Sequence, residues 1–362
     1  MGGRDDEPLT AFEFNMALAL CDLSYETNKT GKTYSEFKQS VLTMHVKMLK
    51  ELGVNPKTYS QTPYISFCDN KIRVIVTNHG AVAFVCITGT NSLDQQAENL
   101  ALHAHPIVPR GEANAPTMYV NDATELGLVQ FVHALFGLDE LDKVVLCGHS
   151  RGGSVAHVVH YHLISNPNFC IDKKKEITSV AFGSTPFLRS QNPIKQLGPD
   201  QKNVDKRFLT YVAELDVVPA LFSAPVKAKI VAQVKANHAT AITLLRKAVG
   251  FDAGFALERA VDVLDGTLGL YLYYGSWTKL SQELVTVLDR DGDAHDVLTN
   301  VQSPMPEPDV DFNSNKFVDA FDLDLVKQRH SMKDTYKPHM YRAATVPTPS
   351  VDVTLLVHRH VP

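Results

Sequence analysis

The succession of apolar and polar positions along the chain predicts strands that alternate with helices. Apolar residues at helical spacing predict helices at residues 9–25, 37–49, 119–136 and 155–163. Short runs rich in β-branched and aromatic residues predict strands at residues 64–67, 72–76, 81–87, 144–147, 177–182 and 208–212. Strands joined to helices by short connections are typical of an α/β fold with a mainly parallel sheet flanked by helices on both faces.

The alternation is interrupted at residues 221–270, where two apolar helical patterns are separated by Gly250 and Gly254. Strand-like sequence resumes at residues 271–280 and 284–288. The insertion follows a predicted strand and its loop, at the sheet edge where α/β folds bind ligands. We therefore expect a helical cap over that edge. The alternative is a pair of amphipathic helices that only cover a face of the sheet.

The chain is expected to form one domain over residues 1–342, followed by a surface tail over residues 343–362. Its 362 residues are 44% hydrophobic and 21% charged, which is typical of globular proteins and not of disordered or fibrous ones. The formal charge is only -5 and no basic stripe occurs, so nucleic acid is not an expected partner. The sequence leaves the oligomeric state open.

Cysteine usage and hydropathy bear on location and cofactors. The five cysteines are odd in number and widely spaced, so neither a disulfide framework nor a zinc site is expected. The N-terminal residues are polar and acidic, unlike a secretory signal. No stretch reaches the roughly 18 apolar residues of a membrane helix. We expect a cytoplasmic protein that requires no metal or other cofactor.

Residues 148–153 read Gly-His-Ser-Arg-Gly-Gly, a G-x-S-x-G pattern extended by a third glycine. A predicted strand precedes it and a predicted helix follows, which is the context of a nucleophile elbow. In such an elbow the serine lies on a strained turn, and the helix N-terminus directs its positive dipole end at a developing oxyanion. Ser150 is therefore the candidate nucleophile. The alternative is a glycine-rich turn with a solvated serine.

A serine nucleophile needs a histidine that a carboxylate orients, and in α/β-hydrolases the chain order is Ser, acid, His. Asp216, at the turn after a predicted strand, is the first candidate acid; the acidic run 289–296 is the reserve and otherwise a solvated turn. His330 follows an apolar segment and is the first candidate base, with His339 as runner-up. His149 is expected only to pack, because the sharp turn points it away from Ser150.

Two backbone donors are expected to form an oxyanion hole. One is the N–H of Arg151, directly after the nucleophile. The other is expected where the strand 81–87 ends in Thr88-Gly89-Thr90. There Gly89 permits close approach to a substrate, and Thr90 offers its backbone N–H and hydroxyl. Taken alone, this junction is an ordinary turn.

In their order along the chain, these motifs resemble the class 3, or fungal-type, lipase family. The similar pieces span about residues 10–340 and are Leu-Ala-Leu-Cys-Asp-Leu-Ser-Tyr-Glu at 18–26, the strand end and junction at 85–90, Ala-Phe-Gly-Ser-Thr-Pro at 181–186, Asp-Val-Val-Pro at 216–219, and a His followed by a Tyr at 330–336. The resemblance implies an α/β-hydrolase fold and a triad of Ser150, His330 and Asp216. It also implies an oxyanion hole from Thr90 and Arg151.

The chain departs from the family pattern at two positions. It has Thr88 where the family usually has Arg, which changes the anchoring of the oxyanion loop. It has Arg151 where the family usually has Leu, which places a cation beside the site and makes an anionic substrate conceivable. The family's usual lid would fall within residues 91–116, but this run is polar, so residues 221–270 are the better equipped cap.

The resemblance implies hydrolysis of carboxylic esters of acylglycerols or phospholipids through an acyl-enzyme. The expected partners are the ester substrate and, transiently, a lipid surface. One alternative is a catalytically silent protein of the same fold that serves in interactions, against which the intact candidate triad argues. The other is an esterase for small or aromatic esters without lipid activity.

Overall fold

A computed structural model describes residues 8–55, 62–89, 104–109, 111, 113–169, 175–189, 204–213, 216, 218–221, 276–288, 294–304, 328 and 330–339. Of residues 281–288 and 294–304 it describes the backbone path. The proposed cap at 222–270, most of the alternative lid region, and the tail at 343–362 lie outside the described residues. Within the described part of the chain, no helix has the combination of length and apolarity required to cross a bilayer.

An eight-stranded sheet forms the centre of the protein, in the order β1-β2-β3-β6-β7-β8-β9-β10. The five strands from β3 to β9 are parallel to one another, and antiparallel pairs flank them at both edges. The strands are β1 Tyr64–Cys68, β2 Lys71–His79, β3 Val82–Ile87, β6 Lys143–His149, β7 Glu176–Phe182, β8 Phe208–Ala213, β9 Ser276–Leu288 and β10 Ala294–Pro304, and a separate hairpin is formed by β4 Ala104–Pro106 and β5 Asn114–Pro116. The predicted α/β fold with a mainly parallel sheet is confirmed.

Helices cover both faces of this sheet. They are α1 Ala11–Ser24, α2 Tyr34–Glu51, α3 Thr117–Glu125, α4 Leu128–Leu135, α5 Arg151–Ser165 and the single turn α6 Val218–Leu221. Short 3-10 turns at Asp205–Arg207 and Lys337–His339 and a π-helical turn at Met332–Tyr336 complete the described elements. A capping box starts α1, where Thr10 and Glu13 exchange side-chain and backbone hydrogen bonds.

The strict alternation of strand residues divides the core in two. On β3, Val85 and Ile87 face the core that α3, α4 and α5 cover, whereas Phe84 and Cys86 face the core covered by α1 and α2. Each fully buried large apolar side chain contributes roughly 1.5–3 kcal/mol of hydrophobic stabilisation. Both layers are anchored on the same central strands, so these strands and their carboxyl ends are held firmly in place.

The predicted helix 119–136 is wrong as a single element. It is interrupted at Gly127, whose φ of 62° lies in the left-handed region, and α3 ends before this residue while α4 begins after it. The predicted strands at 271–280 and 284–288 are likewise wrong as two elements, because residues 276–288 form one strand, β9. The apolar periodicity continues across Gly127, so the sequence pattern did not show that the helix is interrupted there.

The strand β10 was not predicted, because its sequence was interpreted as part of an acidic turn. Its backbone pairs along its whole length with β9, so that Asp296 lies opposite Thr286 and His295 opposite Val287. This places both residues on the edge strand, two strands away from β8. The remaining reserve acids at 289–293 lie outside the described residues. Edge strands lack the near-continuous apolar runs that identify strands buried on both faces.

Candidate active site

The nucleophile elbow is formed where β6 ends and α5 begins. Ser150 lies between them with φ 55° and ψ -128°, and is one of three non-glycine residues with positive φ in the described part of the chain. Such a conformation costs about 1–3 kcal/mol and persists only where the surroundings impose it. The Ser150 backbone N–H donates to the carbonyl of Phe182, at the end of β7, over 2.9 Å. The strain and this hydrogen bond fix the serine at the carboxyl edge of the sheet.

The glycines of the motif are required by close backbone approach. A Cβ on Gly148 would collide with the backbone of Gly152, and a Cβ on Gly152 would collide with the carbonyl of Ile87. A Cβ on Gly153 would lie 2.8 Å from the Cβ of Ala181 on the neighbouring strand. The motif therefore allows the first turn of α5 to sit directly on the ends of β3 and β7.

His330 and Asp216 meet although they lie far apart in the sequence. His330 Nδ1 is 2.8 Å from Asp216 Oδ2, and both residues are buried. The carboxylate accepts two more hydrogen bonds, one from the Tyr336 hydroxyl over 2.5 Å and one to Oδ1 from the Val218 backbone N–H over 3.0 Å. Because an ionised carboxylate only accepts, His330 donates through Nδ1 and its Nε2 is left as the basic nitrogen.

The basic nitrogen is held in a protein environment that lacks competing donors. His330 Nε2 is buried and has no hydrogen-bond partner among the described residues. Gly183, with φ 56°, closes on the pair: a Cβ at this position would lie 2.6 Å from Asp216 Oδ2 and 3.1 Å from His330 Cε1. Gly183 directly follows Phe182, which holds the Ser150 N–H. The candidate base and acid thus lie at the strand end that also holds the candidate nucleophile.

The sequence did not reveal the part that His149 plays in this arrangement. Its ring contacts that of His330, with centroids 4.5 Å apart, and its Nδ1 is hydrogen-bonded to the Tyr25 hydroxyl over 2.7 Å. Burial lowers the pKa of His149 well below its ordinary value, and the neighbouring His330 lowers that pKa further. His149 does pack, as expected, but the group that it packs against is the candidate base.

The cation at position 151 is paired. Arg151 Nε lies 2.7 Å from Asp122 Oδ2 on α3, and Arg73 reaches the other carboxylate oxygen at 4.0 Å. The cation expected beside the site is present, and it shares the carboxylate of Asp122 with Arg73. As the first residue of α5, Arg151 presents its backbone N–H at the positive end of the helix dipole, where an oxyanion donor is needed.

Thr90, the expected second oxyanion donor, lies outside the described residues, which reach Gly89 on this loop. A Cβ on Gly89 would collide with the Tyr25 hydroxyl and lie 3.4 Å from the Ser150 Cβ, so the junction borders the nucleophile. Thr88, where the family usually has Arg, is anchored by a long hydrogen bond of 3.5 Å from its hydroxyl to the carbonyl of Ser24. His339, the runner-up base, has its backbone in the turn Lys337–His339, and its side chain is outside the described part.

Comparison with known proteins gives one family. Residues 84–225 match the family model described as Lipase (class 3), a segment that includes the elbow and Asp216 but not His330. No curated protein matches the chain significantly.

Several solved lipases resemble the structure. The M37 lipase is 15% identical with a TM-score of 0.48, over 76% of this chain and 86% of its own. The lipase of Rhizopus microsporus var. chinensis is 14% identical with a TM-score of 0.40, over 57% of this chain and 68% of its own. The triacylglyceride lipase of Rhizomucor miehei is 16% identical with a TM-score of 0.41, over 60% of this chain and 77% of its own. Similarity at this level does not by itself assign a substrate.

Proposed function

We propose, from the match of residues 84–225 to the class 3 lipase family model, that the protein hydrolyses lipid esters with Ser150 as nucleophile, His330 as general base and Asp216 as its orienting acid. Membership of the family identifies the protein as a carboxylic ester hydrolase. The observation that carries the triad assignment is the buried His330–Asp216 pair, which lies at the same strand end as the strained Ser150.

The proposed chemistry assigns one role to each of these side chains. His330 Nε2 takes the proton of the Ser150 hydroxyl while the hydroxyl oxygen attacks the ester carbonyl, which gives a tetrahedral oxyanion. We assign the stabilisation of this oxyanion to the backbone N–H of Arg151 and to Thr90. Collapse transfers the proton from His330 to the departing alcohol and leaves an acyl-enzyme. A water molecule, deprotonated by the same nitrogen, then releases the acid and restores Ser150.

Acyl esters of glycerol and of phospholipids are the substrate class that we propose, with transient contact at a lipid surface. Family membership supports a lipid ester. The apolar helical sequence at 221–270 is the proposed cap, which would shield the acyl chain in water and open at a lipid surface.

A fluorophosphonate probe tests the nucleophile directly. The wild type should be labelled at a single site, which peptide mapping should assign to Ser150. Ser150→Ala should lose both labelling and hydrolysis of p-nitrophenyl esters. Ser154→Ala is the matched control. Ser154 lies on α5 and is buried like Ser150, but its hydroxyl donates to the carbonyl of Thr185. Labelling that maps to another residue, or a wild type that is neither labelled nor active, would contradict the proposal and favour a catalytically silent protein.

A chain-length series of esters separates a lipase from an esterase for small substrates. Esters with long acyl chains should be hydrolysed faster above their micelle concentration than below it. Replacement of residues 221–270 by a short Gly/Ser linker should preserve hydrolysis of short soluble esters and change the preference for long chains. If the folded deletion variant keeps the wild-type chain-length profile, the segment is not a cap.

We also propose a cytoplasmic, reducing location, which the odd number and wide spacing of the cysteines support. The thiols of Cys21, Cys86 and Cys147 are free and buried together in the core. Cell fractionation with an antibody against the native protein tests this. Recovery in the extracellular fraction would contradict it.

A further inference from the structure

The His149 ring contacts the candidate base and is itself flanked by two tyrosine rings from other parts of the chain. His149 on β6 lies 4.5 Å from the His330 ring, centroid to centroid, with the ring planes tilted by 38°. Tyr336, which also binds Asp216, lies 5.4 Å from the His149 ring. Tyr25, the residue that ends α1, lies 5.3 Å from the His149 ring and is hydrogen-bonded to its Nδ1. His149 therefore touches the base on one side and is itself held on the other.

The hydrogen bond between Tyr25 and His149 joins two groups that are both neutral near pH 7. Burial raises the pKa of the Tyr25 phenol, and burial lowers the pKa of the His149 imidazole. The titratable groups that face this pair are His330 and Asp216 on one side, Tyr336 beside them, and the buried thiols of the α1 core behind Tyr25. Within this set Asp216 is the partner that can balance a positive charge on His330.

The loop that contains Gly89 provides the space in which the Tyr25 hydroxyl lies. Glycine at position 89 is what leaves room for it, because a Cβ there would collide with the Tyr25 hydroxyl and lie 2.5 Å from the His149 carbonyl oxygen. The hydroxyl thus lies between the oxyanion junction and the elbow. A tyrosine that only filled the core would not require a glycine at position 89 of the adjacent loop.

We infer that Tyr25 and His149 are positioning residues for His330: Tyr25 fixes the His149 ring, and this ring holds the plane of the base so that Nε2 faces Ser150. The inference rests on the proposed function of His330. The base gains a proton in the first step and loses it in the second, while its Nδ1 stays bonded to Asp216. A neutral ring against one face preserves this orientation without opposing the positive charge, which a protonated histidine would do.

Kinetics of two variants test the inference. Tyr25→Phe removes one oxygen and keeps the ring, whereas His149→Asn keeps an acceptor for Tyr25 and removes the ring. We expect kcat for a soluble p-nitrophenyl ester to fall roughly tenfold to a hundredfold, more for His149→Asn, with little change in KM, because the role inferred for both residues is to orient the base. The acidic limb of the kcat/KM profile should move to higher pH, since water reaching the exposed face of the base favours its protonated form.

Tyr119→Phe is the matched control. Tyr119 is also buried and also hydrogen-bonded through its hydroxyl, to Thr185 Oγ1, but its ring belongs to the core on the opposite face of the sheet. This variant should keep the wild-type kcat and pH profile. If Tyr25→Phe and His149→Asn leave kcat and the profile unchanged, or if Tyr119→Phe changes them equally, Tyr25 and His149 are packing residues only.

A spectroscopic readout separates this inference from the proposed function. The Nδ1 proton of His330, bonded to buried Asp216, should give a downfield proton resonance in nitrogen-15 histidine-labelled protein, assigned by its loss in His330→Ala. This resonance should broaden or shift upfield in His149→Asn and persist in Tyr119→Phe, whether or not the wild type hydrolyses any ester. An inactive wild type with this pattern would refute the esterase and support the positioning role. An unchanged resonance in His149→Asn would overturn the positioning role even in an active enzyme.

Discussion

A histidine buried beneath the elbow should make the protein sensitive to acid. His157 on α5 is almost completely buried, and its two ring nitrogens are hydrogen-bonded to the hydroxyls of Ser179 at 2.8 Å and Thr210 at 3.1 Å. Burial lowers the pKa of His157 to about 3. In the unfolded chain a histidine titrates near 6.5. Below that pH the unfolded state therefore binds a proton that the folded state does not.

The size of the effect follows from proton linkage. A lowered folded-state pKa means that the unfolding free energy falls as the pH falls below about 6.5, and continues to fall until the folded state also binds the proton, near pH 3. Between pH 7.5 and pH 5.5 this single residue should remove about 1.4 kcal/mol of stability. That is a substantial share of the roughly 5–15 kcal/mol by which proteins are stable.

Urea unfolding followed by far-UV circular dichroism at pH 7.5 and 5.5 measures this. His157→Gln should be less stable than the wild type at pH 7.5 by about 1–3 kcal/mol, because it disturbs two buried hydrogen bonds. At pH 5.5 the difference in unfolding free energy between the wild type and the variant should be about 1.4 kcal/mol smaller than at pH 7.5. Glutamine does not titrate, so the variant does not lose this part of its stability as the pH falls. His105→Gln is the control, because His105 is exposed, and should run parallel to the wild type.

Parallel pH dependences of His157→Gln and the wild type would refute this reasoning. If His157→Gln does not fold, His45→Gln offers the same test on α2. Burial lowers the pKa of His45 to about 4, so the expected change between the two pH values is again about 1.4 kcal/mol.

Four further outcomes are expected. Gly183→Ala should lose at least tenfold in kcat and about 1–3 kcal/mol of stability, because φ is positive and the Cβ would crowd Asp216; wild-type kinetics would contradict this. His330→Ala should be inactive beside an active His339→Ala, and the reverse result in parallel assays would reassign the base. Arg151→Leu should stay within about tenfold of the wild-type kcat, since its backbone N–H remains, and a larger loss would give the side chain a direct role. EDTA should not reduce activity, and a loss that zinc or calcium restores would show a metal requirement.

Local sequence determined the first six strands of the eight-stranded sheet, from β1 to β8, and the position of the elbow. Strand residues alternate between the two cores, and glycine is required where another backbone segment approaches closely. Both requirements produce patterns within a few consecutive residues, so they can be recognised in the sequence. Ser150 could be singled out because its turn, its glycines and the helix after it are contiguous. Asp216 could be predicted because a carboxylate that follows a parallel strand lies at the sheet's carboxyl edge.

Tertiary structure decided which distant side chains meet. No local pattern indicates that His330 rather than another late histidine binds Asp216, because 114 residues separate them and their contact depends on the order of strands in the sheet. The same holds for the ring of His149 against the base and for the pairing of Arg151 with Asp122. Periodicity reports which face a residue occupies, whereas a partner from another element is brought there by the packing of the whole chain, and so the surroundings of the base could be read only from the fold.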